Sequence, residues 1–434
     1  MKRFLDYINN NVLLKVASLN SVSVLLRIIA GFLTSKAIAI FVGAEGMALI
    51  GNMRNFLSSM QSISILGLYN GVVKYVSEFK NDTKELGKTL STAFYAGFIA
   101  TILVSFICYF NAERINDYLF SARYHYGYII KILAMALPLY AMNMFLFSIL
   151  NGFSKFRILI VINIVGQVFG ASITLFLIWQ NQIDGALIAV AITESLMFLI
   201  TLVGVINRRS LLPLIKVRSI SLEYVKKYSS YSIMSLFSAI VLPLVALEVR
   251  SYIIDHVGLK EAGFWEAMTR ISKYYLMFIS TLLSLYILPR FSEIDSIKEF
   301  RKEVFNFYKT IMPLFALGLL VIYLLRSVII SLVFTKEFAP VEDLFLWQLL
   351  GDLVKVLSIV IAYQFLAKKM FWHYIILEAF SVLLIYVTSI YFVDHFGVKG
   401  ATIAHFVTYV LHYAIILLIF KSSLFSIIPD EKED

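Results

Sequence analysis

Apolar runs of roughly twenty residues recur along all 434 residues of the chain, each about the length an α-helix needs to cross ~30 Å of hydrocarbon at ~1.5 Å per residue. With 60% of residues hydrophobic, 15% charged and a mean hydropathy of +0.83, the bilayer has to be the solvent. No stretch is left over for a separate soluble catalytic domain. The runs predict an all-α integral membrane protein of about twelve spans. These lie near residues 14–41, 47–76, 87–110, 128–151, 156–179 and 184–206, then 226–254, 262–288, 305–325, 344–367, 371–393 and 398–420. Met1 to Asn11 carries Lys2 and Arg3, but the apolar segment after it is too long for a signal-peptide core, so the first span is expected to stay in the protein.

Orientation follows from the loops. With the N-terminus in the cytoplasm, the cytoplasmic connections gather most of the loop bases. Among these are Arg208, Arg209, Lys216, Arg218, Lys226 and Lys227 at the midpoint, and Arg290, Lys298, Arg301, Lys302 and Lys309 further on. The net charge of +10 is thereby explained by topology and anionic lipid, and no nucleic-acid partner is needed. A single cysteine, Cys108, excludes an intramolecular disulfide, and six scattered histidines offer no paired metal-ligand spacing, so no metal and no cofactor are expected.

The longest polar interruption, Asn207 to Lys227, divides the chain into an N-terminal six-helix lobe (1–206), a cytoplasmic interfacial linker (207–227) and a C-terminal six-helix lobe (228–434). Six is even, so the lobes enter the membrane in the same sense, as two parallel lobes. A faint repeat agrees: Arg54 and Lys74 recur 216 residues later as Arg270 and Arg290, and YVSE is followed in the second half by FSE. Parallel repeats place a transport site between halves.

Charges inside the spans carry the functional reading. The bases are Arg27, Lys36, Arg54, Lys74, Lys131, Arg250, Arg270, Lys273 and Lys355, against the acids Glu194, Glu248, Glu266, Asp352 and Glu378. Each costs at least ~2.5 kcal/mol at the bilayer centre and must face a partner or a wet cavity. Lys36, Lys74, Lys131 and Arg250 have snorkelling to the headgroups as their alternative. Asp352 and Lys355, three apart, read as a neutralising pair. Glu266, Arg270 and Lys273 share one helix face, Arg54 and Gln61 share another, and Arg27 lies mid-span; this basic set suits recognition of an anionic phosphate or carboxylate better than proton relay. Glu194 and Glu378 stand alone in their spans, with roles left open between ion coupling and pairing. Pro138 and Pro243 are expected to kink their helices, the latter as a candidate hinge.

The segments GAEGMALIGNMRNF and NGVVKYVSEF, and above all LFLWQLLGDLVKVLSIVIAYQFLAKKMFWHYIILE, resemble the Wzx-type flippases of O-antigen and enterobacterial common antigen intermediates, within the multidrug/oligosaccharidyl-lipid/polysaccharide exporter superfamily. The resemblance runs over essentially the whole chain. It implies a V-shaped exporter fold whose first, second, seventh and eighth spans line a cationic central cavity. It also implies a flippase, not an enzyme, carrying an undecaprenyl-pyrophosphate-linked oligosaccharide from the cytoplasmic to the periplasmic leaflet of the bacterial inner membrane by alternating access. Its implied partners are that lipid-linked substrate, membrane lipids, a polysaccharide polymerase and a chain-length regulator. Arg27, Lys36, Arg54, Lys74 and Arg250 match positions where such proteins tend to be basic, and Asp352, Lys355 and Glu378 match their polar tenth- and eleventh-span positions; Lys273 and Glu266 rest on helix geometry alone. The rival readings are a lipid II flippase, a drug or cation antiporter, which would want acids in its cavity, and a membrane polysaccharide polymerase, which would want a larger outer loop.

Overall fold

The apolar runs fold as helices almost without interruption. The computed structural model describes residues 12–205 and 214–425, so Lys2, Arg3, Arg208 and Arg209 lie outside the described residues. The first half comprises α1 (Val12–Phe41), α2 (Gly43–Ser64), α3 (Tyr69–Phe79), α4 (Thr83–Phe110), α5 (Ala112–Phe120), α6 (Gly127–Gly152) and α7 (Phe156–Val205). The second comprises α8 (Leu222–His256), α9 (Leu259–Leu282), α10 (Leu288–Glu293), α11 (Ile297–Leu324), α12 (Arg326–Val333), α13 (Phe345–Ala367), α14 (Phe371–Phe396), α15 (Val398–Ile419) and the short α16 (Lys421–Phe425). Among the described residues nine helices are long and apolar enough to cross a membrane. One of these, α7, folds back at Asn181 and Gln182 and supplies two spans. With the more highly charged α2–α3 and α9, the total reaches the expected twelve.

Span two departs from the run expected over 47–76. The helix breaks between α2 and α3, where Leu66 and Gly67 take left-handed φ of 51° and 60°. Glycine fits because a Cβ at Gly67 would sit 3.1 Å from the Ser232 carbonyl. At the matching place in the second half, α9 runs through a π-helical turn, Leu283–Ile287, into α10. Pro138 and Pro243 lie inside α6 and α8.

The repeat reaches much further than the basic pairs suggest. Between α14 and α15 stands Gly397 (φ 60°, ψ −146°), and 215 residues earlier, between the two arms of α7, Gln182 adopts φ 48°, ψ −117°. Three residues on, Gly185 and Gly400 press against the Leu177 and Phe392 carbonyls, leaving no room for a Cβ. Ser154 (φ 55°) and Lys369 (φ 53°) turn the chain at another pair of matching corners.

The described residues form two compact units whose border falls between Leu247 and Glu248, inside α8, whereas the sequence places the division at 207–227. The reason is local packing. Lys216 and Ser221 donate backbone N–H bonds to Ser91 Oγ (2.9 Å) and Thr92 Oγ1 (3.0 Å), which ties the linker's end along α4. The start of α8 then buries Tyr224 and Tyr228 edge-on against Tyr75, with ring centroids 5.9 and 5.3 Å away. Tyr224 also donates to Glu85 (2.7 Å). Burial, with the Glu85 carboxylate second, pushes the Tyr224 phenol above its usual range, so it stays a donor. Cys108, on α4, is buried.

Candidate functional site

In the second unit the helical period places Glu266 and Arg270 one turn apart on α9, where Arg270 Nε donates to Glu266 Oε1 (3.1 Å). Arg250 on α8 completes a triad by donating from Nη2 to Glu266 Oε2 (2.6 Å), and its guanidinium lies 5.2 Å from the Trp265 ring centre. The three side chains are 2% exposed. One carboxylate thus accepts from two guanidiniums in a site shielded from water, so losing it strands buried cations. This corrects two expectations. Arg250 is buried instead of snorkelling, and Arg270 faces its carboxylate instead of an open cavity. Lys273, on the same stripe, is exposed.

The opposite face of α9 meets a second network. Asp352 on α13 is fully buried and accepts from Ser272 (2.6 Å), Tyr275 and Gln348 (3.2 Å), while its other oxygen faces His405 Nε2 at 2.9 Å. Two turns further along α13, Ser358 meets His412 of α15. Lys355 stands over the Tyr409 ring, 5.1 Å from its centre. Asp352 therefore takes its hydrogen bonds from Ser272, Tyr275, Gln348 and His405, while Lys355, one turn along α13, acts on it as a nearby charge. Ser272, Tyr275, His405 and His412 were missed in the sequence. The signal was present: His405, Tyr409 and His412 fall at i, i+4 and i+7, running alongside Asp352, Lys355 and Ser358 at i, i+3 and i+6.

The first unit holds its bases differently. Arg27 on α1 is exposed, Lys36 and Arg54 are half-buried, and Lys74 on α3 lies 4.8 Å from the centre of the Tyr75 ring. Gln61 is buried and donates to Glu194 Oε2 of α7 (2.8 Å), so Glu194 has found a neutral partner. Lys131 lies 3.6 Å from Glu113. Glu378, on α14, is half-buried. Among the described residues no cluster of histidine, cysteine or carboxylate side chains has metal-site geometry.

Arg27, Lys36, Arg54 and Lys74 in the first unit, and Lys273 in the second, are half-buried or exposed side chains of the expected spans, of a type that pairs well with anions. The Arg250–Glu266–Arg270 and Asp352 networks instead tie helices together.

Comparison with known proteins gives these features a context. The family described as polysaccharide biosynthesis protein matches residues 13–295. The Lipid III flippase of Escherichia coli (strain K12) is 27% identical over 406 residues, covering 93% of this chain and 97% of that protein. Among solved structures, an inward-facing multidrug resistance MATE family transporter of the MOP superfamily superposes with a TM-score of 0.73 at 12% identity, over 92% of this chain and 98% of its own. The lipid II flippase MurJ, in its inward closed conformation, gives 0.71 at 15% identity, over 94% and 87%. Those two likenesses establish a shared fold, and by the family match over 13–295 the chain belongs to the polysaccharide biosynthesis protein family.

Proposed function

We propose that the protein is a flippase that carries an undecaprenyl-pyrophosphate-linked oligosaccharide from the cytoplasmic to the periplasmic leaflet of the bacterial inner membrane. The observation that carries this reading is the concentration of basic residues at half-buried and exposed positions of the first unit's spans, Arg27, Lys36, Arg54 and Lys74, a residue type suited to a pyrophosphate. The similarity to the Lipid III flippase over 97% of that protein's length supports it. No covalent step is required, since the work is to lower the cost of moving a charged, hydroxylated head group through hydrocarbon while the polyprenyl tail stays in lipid. Alternating access presents the bases to each face in turn. Both termini lie in the cytoplasm, and the polymerase and chain-length regulator that would consume the flipped product are its natural partners.

The test is leaflet exchange of a labelled undecaprenyl-pyrophosphate oligosaccharide in proteoliposomes. Native protein is expected to exchange it, Arg54→Ala to slow exchange at least tenfold, and Arg54→Lys to recover part of the rate. No exchange by native protein, or an Arg54→Ala rate equal to native, would overturn the reading.

A further inference from the structure

One end of the first unit holds a polar and aromatic cavity that the basic residues do not use. It has a volume of about 210 Å³ and is walled by Glu45, Gly46, Tyr124, Tyr126, Gln182 and Ile183, with apolar neighbours. That is room for several waters or for a single sugar ring. Three chain connections meet there: the α1–α2 corner, the loop after α5 and the fold-back of α7. By alternation they lie at the end of the unit away from the N-terminus, which is the periplasmic end in the proposed orientation.

Three observations say that this cavity is built for a ligand. The Tyr124 and Tyr126 rings are stacked at 5.6 Å with only 13° between their planes, so the pair acts as one stacked aromatic platform. The platform is held before any ligand arrives: buried Asn116 donates to the Tyr124 carbonyl (2.7 Å) and accepts from the Tyr126 amide (2.8 Å), and Phe120 braces Tyr126 edge-on at 5.3 Å. The third is Gln182. Its backbone occupies a region that side chains avoid, and the matching corner of the second unit is Gly397. Gln182 thus carries a polar side chain at a backbone position where glycine would sit without strain, and it lines the cavity together with Glu45.

We infer that this cavity is a subsite for one neutral pyranose ring of the translocated oligosaccharide. The C–H face of the sugar packs on the tyrosine platform, and its hydroxyl or acetamido groups are read by Glu45 and Gln182. The inference rests on the flippase reading and adds to it an attachment point for the head group on the side where it emerges. The Glu45 carboxylate, with Asp184 beside Ile183, repels an acidic sugar, so the ring held here is a hexose or N-acetylhexosamine and not a uronic acid. Burial, with the Asp184 carboxylate second, pushes the Tyr126 phenol up to about 12, so its hydroxyl remains a donor across the physiological range.

The experiment has two readouts on the full chain. In lipid nanodiscs, saturation-transfer NMR with methyl N-acetyl-β-glucosaminide, methyl β-glucoside and glucuronic acid as probes is expected to show contact with the first, the second or both, and none with the third. The signal should fall at least tenfold in Tyr124→Ala and in Gln182→Gly, and Gln182→Gly should melt no lower than native, which separates lost recognition from lost folding. In proteoliposomes the same two variants should slow leaflet exchange of the lipid-linked oligosaccharide at least tenfold. Neutral probes that fail to bind, native-like binding in both variants, or preference for glucuronic acid would each overturn the subsite. If the variants exchange lipid as fast as native protein, the subsite falls and the flippase reading stands; if native protein exchanges none, the flippase reading itself fails, and with it the subsite's role.

Discussion

The first unit joins its fourth and sixth spans through Thr201, which donates to Asn143 Oδ1 at 2.6 Å; the second joins the corresponding helices, α13 and α15, through Ser358 and His412, and adds Asp352 facing His405. The corners match in register, yet the interiors differ in kind. Among the described residues, the Lys, Arg, Asp and Glu side chains that are buried, Arg250, Glu266, Arg270 and Asp352, all belong to the second unit, while the first buries neutral groups such as Asn52, Gln61, Asn116 and Asn143. The first unit leaves Arg27, Lys36, Arg54 and Lys74 at least partly accessible. One scaffold therefore carries two electrostatic interiors, with charge buried in one copy and confined to half-buried and exposed positions in the other.

The largest expected effect breaks the cohesive half. Glu266→Ala leaves Arg250 and Arg270 buried together without their shared carboxylate and is expected to cost about 3–5 kcal/mol, read as a lowered melting temperature in nanodiscs. The triple change Arg250→Met, Glu266→Leu, Arg270→Met should recover most of that loss; a triple variant as unstable as Glu266→Ala would give those arginines a role beyond cohesion. Next in size, Asp352→Ala strands donors from Ser272, Tyr275 and Gln348 and should cost ~2–3 kcal/mol, with Asp352→Asn markedly milder because it keeps one acceptor oxygen.

A sharper probe of the repeat is the glycine pair. Gly185→Ala and Gly400→Ala each push a methyl into a neighbouring helix carbonyl and should destabilise alike, by ~1–3 kcal/mol each. Unequal losses would mean that the corners are matched in backbone only. The smallest effect has the opposite sign: Gln182→Gly should raise stability by up to ~1 kcal/mol by relieving an unfavourable backbone, whereas Gly397→Gln should lower it, both read by thermal melting.

Much of this architecture was legible in the sequence. Apolar length gave the spans because a helix in lipid has few other solutions, and Arg54 and Arg270 betrayed the repeat. What hydropathy did not report is pairing. The burial of Arg250 depends on Glu266 lying across a helix interface, and Asp352 chooses His405, 53 residues away, over Lys355, one turn away. The break at Leu66 and Gly67 was hidden because its neighbours are apolar enough to continue a span. The displaced unit border follows from Tyr224 and Tyr228 packing backwards onto Tyr75, a contact between distant segments. At the cavity, no local pattern marks Tyr124 and Tyr126 as a held pair, because Asn116 fixes them from eight and ten residues away, and Gln182 is distinguished only by its backbone angles.

Cys108, the chain's one thiol, is 1% exposed on α4, which makes the native protein almost silent to water-soluble maleimides. Reporter cysteines introduced one at a time, such as Arg123→Cys near the tyrosine platform or Lys226→Cys at the start of α8, would label against an essentially blank background. Sidedness and motion are then open to chemical and spectroscopic mapping in an otherwise native chain.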